Sequence, residues 1–325
     1  MFTKHKSIII GAALCAISFG SFAQDNQANI RQNGSGNSNT VQQTGMNEKL
    51  TLIQGTNGNT AVQAKADIVM EGNANEVYIK QVGFTHEATV ATAGVNNQIK
   101  IDQQGSANMA TAEIFDNLTP TNSLIDIKQD GKTNEANASI QGGEGHSLKI
   151  KQTEAGNSAT IRQYYSSHNT FSIVQDGRDN LATIQQESNR DGDQASIKQV
   201  GDDNKALVQF NDSELFSSTR DNKATVRQTG HGNDATVRVR VVVTEDNEFG
   251  PFPEEIANNE AEISQHGDDN KAMLWQYGSD NFGKIQQNGA LNNASLTQAG
   301  LGDMATITQT GSGNMSVVAQ GVALP

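Results

Sequence analysis

From Asn26 onward the chain repeats one short pattern of polar and apolar positions. In its clearest stretch an Asn, a small residue, an aliphatic residue and a Gln fall at every second position. Examples are Asn270, Ala272, Leu274, Gln276; Asn281, Gly283, Ile285, Gln287; and Asn292, Ala294, Leu296, Gln298. A period of two puts all four on one face of a strand. The positions between them vary and are often charged, as with Lys271, Met273 and Trp275. The regular face is therefore predicted to be buried and the variable face wet.

The unit recurs every 11 residues through Gln265, Gln276, Gln287, Gln298, Gln309 and Gln320, and again through Gln32, Gln43 and Gln54. Asn259, Asn270, Asn281, Asn292 and Asn314 keep the same step, with Asp303 in the one remaining place. Middle copies end on Gln81, Gln103, Gln163, Gln186 and Gln228. Two residues after most of the C-terminal Gln comes a Gly: Gly267, Gly278, Gly289, Gly300 and Gly311. Gly accepts positive φ cheaply, so these positions are predicted to reverse the chain.

Each unit is thus a strand plus a tight turn, and two units make a hairpin-like rung of about 22 residues. One rung cannot bury its face, but stacked rungs can. The predicted fold is all-β: a β-solenoid of stacked two-strand rungs with extruded loops. Roughly twelve rungs at the ~4.8 Å cross-β spacing would give a rod about 60 Å long. Stacking sets Gln over Gln and Asn over Asn, so buried amides can satisfy one another in ladders. The Gln and Asn residues named above are the predicted ladder, and the five Gly the predicted turns.

Composition refines this picture. Only 35% of residues are hydrophobic and 5% aromatic, too few for two ordinary globular cores but enough for a core two side chains thick. All four Pro lie outside the units: Pro120, Pro251, Pro253 and Pro325. A strand paired along both edges cannot accept Pro. Inserts are accordingly predicted at about 115–122, 211–221 and 240–258, with shorter slips near Ala64, Gln141 and Asp191. The net charge of −13 argues against nucleic acid and against an anionic membrane surface.

Residues 1–23 read differently. Lys4 and Lys6 precede an apolar run from Ile8 to Phe19, and Ser21 and Ala23 are small residues placed for a cut. This is a secretory signal pattern, with cleavage expected after Ala23 and the solenoid occupying 24–325. Leu14 before the single Cys15 is wrong for a lipoprotein anchor. The remainder carries no Cys and no apolar run near the ~20 residues of a membrane span.

The motif Gln-x-Gly-x-x-Asn-x-Ala-x-aliphatic-x-Gln, as in Gln265–Gln276, resembles the curlin repeat of bacterial curli fibre subunits. The resemblance implies a secreted subunit that polymerises into extracellular amyloid fibres of a biofilm matrix. It also implies two partners, a dedicated outer-membrane secretion channel and a nucleator, with the chain itself as main subunit or as nucleator. The chain differs from the family's usual form in its larger number of repeats, its inserts, and a first repeat that starts almost at the cleavage site.

Other candidates carry less. His86, His146 and His168 fall where the unit has Asn and read as polar substitutes; His231 and His266 fall in turns. The acidic turns Asp202, Asp203, Asp268 and Asp269 read as solubilising, with calcium as the alternative. Trp275, Tyr164 and Tyr165 are possible surface contacts. No catalytic set, phosphate loop or cofactor motif emerges. Beside the fibre subunit stands a monomeric solenoid adhesin or ice-binding protein. Irregular outward residues (Glu260, Glu262; Lys271, Met273; Phe282, Lys284) disfavour a flat ice-binding face.

Overall fold

The computed structural model describes residues 8–9, 14–19, 25–55, 61–115, 121–187, 192–210, 218–240 and 255–321. The chain divides into two compact units, Met1–Asn157 and Ser158–Pro325. Each is a parallel β-solenoid. Among the described residues there is no helix long and apolar enough to cross a membrane.

In the first unit the long strands alternate between two sheets. One sheet holds Gln27–Gln32, Lys49–Gln54, Glu76–Phe84, Gln98–Ser106, Leu124–Lys132 and Ser147–Ala155. The other holds Ser38–Met46, Lys65–Asn73, Glu87–Thr92, Met109–Phe115 and Glu135–Gln141. Every pairing is parallel and joins equivalent positions: Ile79 lies beside Ile101, which lies beside Ile127, and Gln81 beside Gln103. The rung is therefore not a hydrogen-bonded hairpin. Its two strands face each other through side chains, and all ladder bonds run between rungs. Ile8–Ile9 and Leu14–Phe19 lie parallel to Gln27–Gln32 and Ser38–Met46, with Ile8 beside Ile30 and Phe19 beside Gln43.

The second unit repeats the plan. Thr170–Arg178, Gln194–Val200, Lys223–Thr229, Glu260–His266, Phe282–Ala290 and Met304–Ser312 form one sheet. The other runs from Ser158–Tyr164 through Leu181–Gln186, Lys205–Phe210, Asp234–Arg240, Lys271–Ser279 and Asn293–Leu301 to Met315–Gly321. A short parallel pair, Ser218–Arg220 with Glu255–Ala257, joins the flanks of two insert positions. The interiors of the three inserts, and all four Pro, lie outside the described residues.

Burial alternates with the pleat. In Glu76–Phe84, Val77, Ile79 and Gln81 are buried while Glu76, Tyr78 and Lys80 are half-exposed. Two large inward residues meet between the sheets. Phe171 stands at a small-residue position and Phe210 at a Gln position, and their rings stack at 6.0 Å with 19° between planes.

Candidate functional site

The repeated chemistry is a set of side-chain columns at the strand ends. In the first unit Gln32 Nε2 donates to Gln54 Oε1 (2.8 Å), Gln54 to Gln81 (2.9 Å), Gln81 to Gln103 (3.0 Å), Gln103 to Gln129 (2.9 Å) and Gln129 to Gln152 (2.9 Å). In the second, Gln199 donates to Gln228, Gln228 to Gln265 and Gln265 to Gln287, each at 2.9 Å, and Gln287 to Gln309 at 2.8 Å. Each amide also reaches the opposite strand, as where Gln103 Nε2 meets Glu87 O and Asn108 O, both at 3.0 Å. These bonds lie inside a dry layer, where an unmet one would cost about 1–3 kcal/mol; in the facing column Gln43, Gln163 and Gln276 each leave Oε1 unmet.

The other sheet is less regular. Gln276 donates to Gln298 (3.1 Å) and Gln298 to Gln320 (3.0 Å). Elsewhere this column changes chemistry. Met70, Thr92, Ile114 and Ile140 follow Gln43 at the same register in the first unit, and Phe210 and Val239 follow Gln186 in the second. Three residues expected in the ladder therefore have no Gln–Gln bond. Gln43 Nε2 meets Met70 Sδ at 3.7 Å, Gln163 donates to Ser166 Oγ at 2.6 Å, and Gln186 donates to Asp193 Oδ2 at 2.9 Å. Gln43 and Gln186 have Met70 and Phe210 as their next neighbours, and Ser166 Oγ comes between Gln163 and Gln186.

A second kind of column runs through the corners. Asn204, Asn233, Asn270, Asn292 and Asn314 each donate Nδ2 to the Oδ1 of the Asn one rung earlier, at 2.8–3.0 Å. Asn259 does the same to Asn222 (3.0 Å), and the backbone N–H of Asn281 donates to Asn259 Oδ1 (3.1 Å). The two columns are oppositely polar. That holds for bonds between like side chains, where Gln amides donate toward later rungs and Asn amides toward earlier ones; Asn Nδ2 also donates to a carbonyl of the next rung, as Asn233 does to Gly267 O at 2.7 Å. Carboxylates also occupy Asn places: Asp193 Oδ1 accepts Asn222 N–H (2.8 Å) and Nδ2 (3.1 Å).

Glu48 puts a buried carboxyl into these columns. Its side chain is buried, its Oε1 accepts Asn75 Nδ2 at 3.2 Å, and its Oε2 has no hydrogen-bond partner. Burial raises its pKa from the ordinary carboxylate range to about 7.

His86 replaces Asn atom for atom. With its proton on Nε2 it donates to Val82 O (3.0 Å), and Nδ1 accepts Asn108 N–H (3.4 Å). Burial lowers its pKa, which keeps Nδ1 free to accept. His146 is also buried at a corner place, beside Ser123 Oγ. His168 corrects the expectation: it is exposed at φ +57°, and the following Asn169 takes the column place. His231 and His266 are exposed, and His231 lies 3.0 Å from Asp203.

Two glycine effects operate at the corners. Gly267, Gly278, Gly289 and Gly311 have φ between +93° and +126°. A Cβ on Gly289 would lie 2.0 Å from Gly311 O, so the next rung's carbonyl occupies the side-chain position. Gly300 departs from the expectation: its φ is not left-handed, and its Cβ would meet only Asp303 Oδ2, at 3.2 Å. A second left-handed residue was not anticipated. It is the one just before the column Asn, as in Asn96, Asp179, Asp203, Asp269, Asp280 and Leu291. Its signal is in the sequence, since Asn, Asp and Gly, which tolerate this region best, dominate there.

Outside the columns, Trp275 lies on the outward face with Arg238 and Arg240 at 5.4 and 5.8 Å from its ring centre and Tyr277 edge-on at 6.3 Å. Tyr164 is half-buried and Tyr165 exposed. Among the described residues, no group of three or more His, Cys, Asp or Glu is placed to hold a metal ion.

No curated protein matches the chain. The family described as Curlin associated repeat matches residues 72–114, 257–289 and 278–311, which cover strands and corners of the kind just described. The Curlin associated repeat thus matches one stretch of the first unit and one continuous stretch of the second.

Proposed function

We propose that the chain is a secreted structural subunit that joins copies of itself into an extracellular curli-like amyloid fibre, serving matrix cohesion and surface adhesion. The carrying observation is the last described rung. Met304–Ser312 and Met315–Gly321 are hydrogen-bonded along one edge, to Phe282–Ala290 and Asn293–Leu301, and pair with no described strand along the other. Their inward residues Ala305, Ser316, Val318 and Gln320 are half-exposed, whereas equivalent residues deeper in the unit are buried. An edge of free backbone groups in constant register is a template for another rung. The leader at residues 1–23 supports export, and the repeat's resemblance supports passage through a dedicated outer-membrane channel with nucleated growth at the cell surface.

The test is a seeded assembly assay on the chain that begins at Gln24. A lag, dye-binding fibres with cross-β diffraction, and abolition of the lag by seeds are expected. A folded chain that stays monomeric at high concentration would sink the reading.

A further inference from the structure

One row on the outward face of the second unit belongs to neither kind of column. Gln209, Arg238, Trp275 and Thr297 stand in register on four successive strands of one sheet. Neighbouring strands are about 4.8 Å apart, so Gln209 and Trp275 lie about 10 Å from each other. Arg238 and Arg240 flank the Trp275 ring, and Arg240 also hydrogen-bonds Tyr277. Three polar atoms of the row are buried with no hydrogen-bond partner: Arg238 Nε, Trp275 Nε1 and Gln209 Oε1. The first two can only donate and the third can only accept.

These atoms specify what would satisfy them. The two donors, one of them on a cation, call for an anionic acceptor, and the amide oxygen calls for a hydroxyl. The charges around them agree. The outward residues of Lys205–Phe210, Asp234–Arg240 and Lys271–Ser279 include the cations Lys205, Arg238, Arg240 and Lys271 against the single acid Asp234, although the whole chain has a net charge of −13. Lys271 lies four residues from Trp275 on the same strand, about 13 Å away, so the positive charge extends past the reach of one small group. The indole adds a flat apolar face on which the C–H side of a sugar ring can lie.

We propose that this row binds an acidic polysaccharide, one whose sugars carry carboxylates. The proposal goes beyond the fibre reading and does not depend on it. The carboxylate accepts from Arg238 Nε and Trp275 Nε1, a sugar hydroxyl donates to Gln209 Oε1, and the sugar ring lies against the indole. Arg238 is stacked on Trp275, so its guanidinium swings aside as the carboxylate enters and uncovers both donors together. Lys271 takes a later carboxylate of the same glycan. The planar fork of a guanidinium suits a carboxylate better than the point charge of an ammonium does. An acidic polypeptide offers the charge without the ring or the hydroxyl, and a neutral glycan offers the ring and hydroxyl without the charge.

Trp275 is the only Trp of the chain, so its fluorescence reads the site directly. The folded chain beginning at Gln24, as monomer or as fibre, is titrated with polygalacturonate, with the same polymer after reduction of its carboxylates to alcohols, and with polyglutamate of similar length. Polygalacturonate is expected to change the emission saturably, and each of the other two to bind at least about tenfold more weakly. Arg238→Gln should weaken polygalacturonate binding at least about tenfold and Arg238→Lys by less. Lys100→Gln, on the outward face of the first unit, should leave it unchanged. Should Arg238→Gln lose its native circular dichroism, Lys271→Gln is read in its place, with an expected loss of about threefold. Equal binding of polyglutamate or of the reduced polymer overturns the proposal, as does unweakened binding by the folded variant or an emission that polygalacturonate does not move. Fibres that assemble without binding the glycan leave the fibre reading standing.

Discussion

Asn75 holds Glu48 by a single side-chain bond of 3.2 Å, and the carboxyl's second oxygen is buried with nothing to accept from. An uncharged amide fills this place in most rungs. Because burial raises the folded pKa of Glu48 to about 7, the folded chain holds a proton there that the unfolded chain, near 4.5, has released. The sign is fixed by linkage: stability from this group is fully present below about pH 4.5 and is lost as pH rises through 7. Urea midpoints should fall between pH 5 and pH 8. Glu48→Gln should flatten that dependence and raise stability at pH 8 by about 1–3 kcal/mol.

Gln103 is bonded on both sides within its column and across to the facing strand. Gln103→Leu removes the acceptor of one Gln81 Nε2 hydrogen and the donor to Gln129 Oε1, so a loss of about 2–4 kcal/mol is expected from denaturant titration. The facing sheet shows that an apolar column is itself acceptable, since Ile114 and Ile140 are neighbours at the equivalent position. Changing Gln81, Gln103 and Gln129 together to Leu should therefore cost much less than three single changes.

Gly289 and Gly300 look alike in the repeat and should behave oppositely. Gly289→Ala forces a side chain onto Gly311 O at φ +126° and is expected to cost about 2–4 kcal/mol. Gly300→Ala meets only a side-chain oxygen at 3.2 Å and should change the melting temperature little.

Leu291 is an exposed β-unbranched residue held at φ +58°, where Asn or Asp stands in many other corners. Leu291→Asn should stabilise the chain by about 1 kcal/mol, read as a higher urea midpoint.

The 11-residue step revealed which face is inward, because period-two burial leaves its mark on every unit. It also separated the apolar core positions from the wet ones. Three things were not legible. The interruption of one Gln column by Met70, Ile114, Phe210 and Val239 is a property of which strands become neighbours, and that depends on how inserts shift the register. The carboxyls of Glu48 and Asp193 look like ordinary surface acids until the corner places them among buried amides. His168 was set one place off because a left-handed residue before each column Asn had not been recognised.

Gln228 bonds to Gln265 across 37 residues of chain, and Gln265 to Gln287 across 22, at the same 2.9 Å. Pitch along the axis is therefore indifferent to how much polypeptide a bend contains. A foreign peptide spliced into such a bend would travel with each subunit as a lateral passenger, leaving the spacing of the column that carries it unchanged.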